Sequence, residues 1–323
     1  MVFHGPGDLR REDLPVPVPA QGELVMRIDA ALTCGTDVKT LRRGHPVMIP
    51  KVPTVFGHEF AGTVTSVGHG VSGFREGDRV VAANSAPCAS CPSCRAGRPN
   101  LCEDLLFVNG AYGEFILLPP RLVARNVVPL ACALLAIERV RVEAGQTVVV
   151  FGHGPLGCLL GMLAASRQAR VVMVGKSGWR FDRLKHLGFA RWLDATNTGN
   201  VVEAIRDITT GRGAEVTVDA TGRPEVWEQA VAAVGRGGSV LFFGGCAPGT
   251  TIRLDTRRTH YEELTLLGAF HHTPEMIRRA VETLASGALV PDNLISHRMP
   301  LEEVGQALAL MAKGEALKVL IRS

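Results

Sequence analysis

The sequence predicts an α/β protein in two parts, a small β-rich region followed by a parallel, doubly wound sheet. Over the first third, short apolar runs sit between Gly and Pro turns and helical periodicity is scarce. From about Pro129 apolar strands and amphipathic helices alternate, the pattern of a sheet with helices on both faces. At 323 residues the chain is long enough to bury two separate cores.

In the first part, Glu23-Leu24-Val25-Met26-Arg27-Ile28 and Gly62-Thr63-Val64-Thr65-Ser66-Val67 read as strands bounded by turns. In the second, a helix opens at Pro129, where proline needs no N–H partner, and leads into the buried strand Thr147–Phe151. Strand Val171–Val174, helix Trp179–Leu187, strand Val216–Asp219, a helix opened by Pro224, and strand Ser239–Phe243 follow. Helices Pro274–Ser286 and Leu301–Ala312 precede a last strand, Leu317–Ile321. Internal repeats and low-complexity linkers are absent from the sequence.

Composition excludes several classes. Hydrophobic residues at 46% and charged residues at 20% describe an ordinary globular chain. The net charge of +4 is scattered, too weak to argue for nucleic acid or an anionic membrane. The start, Met1-Val2-Phe3-His4-Gly5-Pro6, lacks the apolar run of a signal peptide. The apolar stretch Phe151–Ala165 is broken by glycine and too short to span a bilayer. A cytosolic location is expected.

Four of the eight cysteines, Cys88, Cys91, Cys94 and Cys102, form a C-x2-C-x2-C-x7-C array. Four thiolates satisfy tetrahedral zinc with no open position, so the expected role is structural. Redox-active or merely buried thiols are the competing reading; the Pro, Ser, Gly and Arg between them make poor core.

Gly152-His153-Gly154-Pro155-Leu156-Gly157 matches G-x-G-x-x-G directly after an apolar strand and before an apolar helix. That context predicts a dinucleotide site: Gly152, Gly154 and Gly157 allow the tight turn, the close approach of backbone to pyrophosphate and helix–strand contact, and the helix opened by Pro155 presents the free N–H groups of Leu156 and Gly157 toward the phosphates. The second strand ends Val174-Gly175-Lys176-Ser177, with Arg180 beyond. It carries no carboxylate for a ribose 2′-hydroxyl, whereas Lys176, Ser177 and Arg180 are chemically suited to a 2′-phosphate. NADP is therefore expected over NAD, against the alternative that Lys176 and Arg180 are solvated surface charges.

Cys34-Gly35-Thr36-Asp37 and Gly57-His58-Glu59 lie in glycine-flanked turns of the β-rich third. Gly57-His58-Glu59-Phe60-Ala61-Gly62, with Gly68 and Val71, resembles the zinc signature of the zinc-containing medium-chain dehydrogenases, especially the sorbitol and threonine dehydrogenase branch. Gly77-Asp78-Arg79-Val80, the four-cysteine lobe and the nucleotide turn follow in that family's order, so the resemblance covers almost the whole chain. It implies a GroES-like catalytic domain (1–128 and 269–323) and a Rossmann nucleotide-binding domain (129–268), with substrate in the cleft separating them. It further implies that Cys34 and His58 ligate a catalytic zinc, with Glu59 a ligand or close partner, and that Thr36 relays the substrate proton. Relatives often continue that relay with His three residues after Thr36, where this chain has Lys39. In sorbitol-type relatives the positions of Phe270, His271 and His272 border the substrate pocket; surface histidines at a domain junction are the alternative. A secondary alcohol, polyol or sugar substrate and a homodimer or homotetramer are implied.

One departure concerns the junction Val127-Val128-Pro129-Leu130-Ala131. Relatives carry an additional segment there, ending in a Glu that commonly supplies or supports the remaining zinc coordination. Two readings stay open: the chain lacks the segment, with the catalytic zinc compromised, or the sequence as it stands omits residues at that point. A helix start abutting a strand end leaves no room for an ordinary connection, which favours the second. Three function classes follow: a zinc-dependent alcohol or polyol dehydrogenase, a zinc-independent NADPH reductase on the same scaffold, and an NADP-binding regulatory protein that has lost its catalytic metal.

Overall fold

The computed structural model describes residues 1–119, 122 and 129–322; the Val128–Pro129 junction lies outside the described residues. The chain divides into two compact units, the first of residues 1–131, 272–286 and 295–323, the second of residues 132–271 and 287–294.

The first unit is built mainly on antiparallel strands, with Ile295–Pro300 and Lys318–Arg322 its parallel pair. Leu24–Leu32 is its centre: it pairs along its length with Phe60–Val67, at its start with Phe115–Leu118 and at its end with Lys318–Arg322. Arg79–Val81 and Ile295–Pro300 extend this sheet at its two ends. Leu24, Met26 and Ile28 alternate inward and pack with Val64, Ile116, Leu118 and Ile321 into one core. The C-terminal strand thus completes a sheet begun near the N-terminus. It runs Lys318–Arg322, one residue later than its apolar pattern suggested.

The second unit is a six-stranded sheet in the order Arg191–Asp194, Arg170–Gly175, Thr147–Phe151, Ala214–Asp219, Val234–Phe242, Thr265–Gly268. Every neighbouring pair is parallel. In chain order this is 3-2-1-4-5-6, the doubly wound arrangement, whose topological switch lies beside the first strand. All five residues of Thr147–Phe151 are buried, as a strand covered on both faces requires. Register sets Phe151 level with Val174 and Asp219, so the turn after Phe151 opens at the switch point.

Two strands of this sheet, Arg191–Asp194 and Thr265–Gly268, carry little apolar signal because they are its half-exposed edges. The helix Val201–Ile208 is started by Asn200, whose side chain accepts from the N–H groups of Val202 and Glu203. Two helices differ from expectation. Trp179–Leu184 ends one turn early, and Leu301–Glu303 forms a 3-10 turn before the α-helix Val304–Lys313. That last helix stops at Gly314, whose φ of 82° is the left-handed cap. None of the helices among the described residues is long and apolar enough to cross a membrane.

Candidate functional site

Strand pairing in the first unit brings Cys34 to His58. Ala31 lies opposite Phe60, so the residues just beyond one strand meet those just before the other. The Leu32 N–H donates to the Glu59 carbonyl at 3.0 Å, and the Thr33 N–H donates to the Val319 carbonyl at 3.0 Å. Gly57, at φ +89°, makes the approach possible: a Cβ there would lie 2.7 Å from the Tyr112 ring. Cys34 then starts the helix Gly35–Arg43. The result is a group in which one donor atom each from Cys34, His58 and Glu59 lie within 4.8 Å of one another.

Around this group stand three residues that the sequence reading missed. Asp37, 2% exposed, braces both ends of the cluster. Its Oδ1 is 2.9 Å from His58 Nδ1, and its Oδ2 accepts the Cys34 backbone N–H at 2.8 Å. The same Oδ2 accepts the hydroxyl of Tyr112 at 2.6 Å, from a ring that is fully buried. The third is Lys318, which pairs with Glu59 and donates to the Thr33 carbonyl at 3.0 Å. Asp37 had a faint signal, being the third helical residue after Cys34, and Lys318 is a lone charge in an apolar strand. Tyr112 had none.

These contacts shift the ionisation of the cluster in the absence of metal. Burial alone would lower the pKa of His58, but the charge and hydrogen bond of Asp37, with the Cys34 side chain, hold it well above 6.5. Burial pushes Asp37 up, yet His58, Tyr112 and the Cys34 N–H bring it below its ordinary value. Burial and the Asp37 charge raise Tyr112 well above 10, so it remains a neutral donor. Burial would discharge Lys318; the charges of Glu59 and Cys34 outweigh it and keep the ammonium.

Thiolate, imidazole and carboxylate are donors that zinc accepts. With Nδ1 held by Asp37, the ring presents Nε2 to a metal, the usual carboxylate–histidine arrangement. The residues present therefore fit zinc. Thr36 is half-buried in the first turn of the adjoining helix and Lys39 is exposed.

The four cysteines converge in the same unit, with all four sulfurs within 4.8 Å of one another. Backbone N–H groups point at them: Cys91 N to Cys88 Sγ at 3.2 Å, Cys88 N to Cys102 Sγ at 3.2 Å. Hydrogen bonds from Ser90 and Cys91 lower the Cys88 pKa to about 6, whereas burial and the neighbouring thiols raise Cys94 to about 12. This closed set of sulfur donors fits a structural zinc.

In the second unit the glycine turn has the geometry its pattern implies. Gly152 has φ +105°, a Cβ at Gly154 would meet nothing within 4 Å, and one at Gly157 would strike the Gly152 carbonyl at 1.9 Å. Open space at the middle glycine is what close approach of a pyrophosphate needs, and contact at the third is helix-on-strand packing. The helix Pro155–Ser166 follows directly. Lys176 and Ser177 follow the strand Arg170–Gly175, and Arg180 lies in the next helix. A carboxylate does stand nearby, contributed by the adjacent strand: Asp194 lies level with Gly175 and accepts the Ser177 N–H at 2.8 Å. Sequence distance hid it.

Phe270 is exposed, with its ring 5.5 Å from that of His271, whose φ is +62°. Phe270 and His271 close a segment of the second unit and His272 opens one of the first. His272 is 4% exposed, with Nε2 3.2 Å from Asn84 Oδ1.

A 3-2-1-4-5-6 parallel sheet with a glycine-rich turn, in a chain bearing a zinc donor set, defines a nucleotide-dependent dehydrogenase of the zinc-binding class. Residues 20–129 match the family model of the alcohol dehydrogenase GroES-like domain, and residues 155–286 that of zinc-binding dehydrogenase. The chain is 32% identical to a sorbitol dehydrogenase of Bombyx mori, over 99% of this chain and 97% of that protein. It is 33% identical to D-altritol 5-dehydrogenase of Agrobacterium fabrum, over 90% and 89% respectively. Among solved structures, one described as a zinc-binding dehydrogenase from Sinorhizobium meliloti bound to NADP superposes with a TM-score of 0.92 at 28% identity, covering 100% of this chain and 98% of that one. An alcohol dehydrogenase from a Thermus species gives 0.87 at 25% identity, covering 99% and 98%. The chain belongs to the zinc-containing medium-chain dehydrogenase family and is an oxidoreductase of that fold.

Proposed function

We propose that this protein transfers a hydride between a secondary alcohol of the polyol or sugar type and NADP. The observation that carries the proposal is the buried Cys34–His58–Glu59 cluster braced by Asp37. Relatives named for sorbitol, D-altritol and D-arabinitol support the substrate class. The NADP-bound neighbour and the basic end of the second strand support the cofactor.

Cys34 and His58 would hold the metal, with Glu59, which pairs with Lys318, a ligand or close partner. Zinc supplies a Lewis acid that acidifies a bound hydroxyl, and nicotinamide supplies the hydride acceptor. Thr36, two residues from Cys34, would relay the substrate hydroxyl proton, and Lys39 stands where relatives often carry the His that continues the relay. Asp37 keeps the His58 ring oriented throughout. Phe270, His271 and His272 border the substrate, His272 being steadied by Asn84. Gly152, Gly154, Pro155, Leu156 and Gly157 hold the pyrophosphate, and Lys176, Ser177 and Arg180 the 2′-phosphate. In this reading residues 1–128 and 269–323 form the catalytic domain and 129–268 the nucleotide domain of a cytosolic homo-oligomer.

A panel of secondary alcohols and polyols, run with both nicotinamide cofactors on metal-replete protein, tests this. Turnover with both zinc sites filled supports it. Chelator-insensitive turnover supports a zinc-independent reductase instead. Filling of the cysteine lobe alone, with tight nucleotide binding and no turnover, supports a non-catalytic role.

A further inference from the structure

The nucleotide turn and the end of the neighbouring strand are shaped around each other. His153, the second residue of the turn, lays its imidazole over Gly175: a Cβ at Gly175 would lie 2.0 Å from His153 Nδ1 and 2.5 Å from Cγ. The backbone holds this arrangement, since the Gly152 N–H donates to the Val174 carbonyl at 2.8 Å. The ring is braced on its other side by Phe181, edge-on at 6.3 Å, which itself meets Trp192 edge-on at 5.3 Å. The overlap reaches Cγ, at the root of the ring, so a turn of the ring about its own bond would not relieve it.

Gly175 is the last residue of the second strand, at the position where this fold places the carboxylate that binds an adenine ribose 2′-hydroxyl. With His153 in place, no residue bearing a side chain fits there. The nearby Asp194 belongs to the adjacent strand, and its oxygens accept from the N–H groups of Ser177 and Thr196 and the amide of Asn197.

We infer that His153 is a cofactor-specificity residue: it excludes a ribose-binding carboxylate at Gly175 and presents an imidazole N–H to the 2′-phosphate beside Lys176, Ser177 and Arg180. The inference rests on the NADP reading above. It makes His153 and Gly175 a coupled pair, so that a change at one position is tolerated only with the matching change at the other.

The test measures dissociation constants of NADP+ and NAD+ for metal-loaded wild type, H153A, G175D and the H153A/G175D double variant. Wild type should prefer NADP+. H153A should narrow that preference about tenfold, the scale of one charge-assisted hydrogen bond. The double variant should prefer NAD+, while G175D alone should bind both cofactors weakly or fold poorly. If G175D fails to fold, H153A and the double variant still decide. An H153A preference within about twofold of wild type, or G175D binding NAD+ as well as the double variant, overturns the inference while leaving the NADP reading intact. A wild type that prefers NAD+ overturns both.

Discussion

Replacing Lys318 with Met keeps the apolar stem and removes the ammonium that faces Glu59. Both residues are buried, at 7% and 5% exposure, so the carboxylate left behind would lose the ammonium it pairs with. Removing one member of a buried pair costs about 3–5 kcal/mol, and the lost hydrogen bond to the Thr33 carbonyl adds about 1 kcal/mol. At roughly 2–4 °C per kcal/mol for a unit of this size, Lys318→Met should lower the melting midpoint of metal-stripped protein by on the order of 10 °C. The double variant Glu59→Gln/Lys318→Met should recover much of that loss, because two neutral groups replace an orphaned charge. Zinc restored to the single variant should also narrow the gap by giving Glu59 another cation. The pH dependence has a definite sign. The folded Lys318 pKa is raised above 10.5, so the stabilisation is fully present below that value and fades only as pH rises past the folded pKa. The penalty should therefore be flat from about pH 6 to 9. Scanning fluorimetry of the four proteins of the cycle settles the matter; additive effects of the two substitutions would refute the argument.

Two further outcomes follow from the metal sites. Tyr112→Phe removes the 2.6 Å hydrogen bond to Asp37 Oδ2 and leaves that oxygen to the Cys34 N–H alone. Partners beyond the ligands commonly contribute about 10–100-fold to metal affinity, so this more remote one should contribute several-fold, read by chelator competition at the proposed catalytic site; an unchanged affinity would count against Tyr112 as a brace. In the cysteine lobe, the Cys94 thiol, raised to about 12, is protonated near neutrality in the absence of metal. Zinc uptake there must expel a proton, so affinity should climb between about pH 6 and 8, and Cys94→Ser should release the metal. Zinc retention that does not vary over that range would refute the assignment.

Local signals in the sequence were strong wherever one segment alone carries the physics. The buried run Thr147–Phe151, the glycine turn and the helix opened by Pro155 are contiguous, so their pattern is complete within a short window. The cysteine array is similar, since its spacing already encodes the closure of four thiolates. The exposed edges Arg191–Asp194 and Thr265–Gly268 were illegible, because a strand with one neighbour and little burial carries weak alternation. What surrounds the proposed catalytic metal was decided by the tertiary structure. Tyr112 reaches Asp37 across 75 residues, and Lys318 reaches Glu59 across 259. Sequence periodicity records which face of an element is buried; it does not record which buried polar group will meet which. That pairing follows from sheet register, and burial then forces each group to find a partner of opposite character.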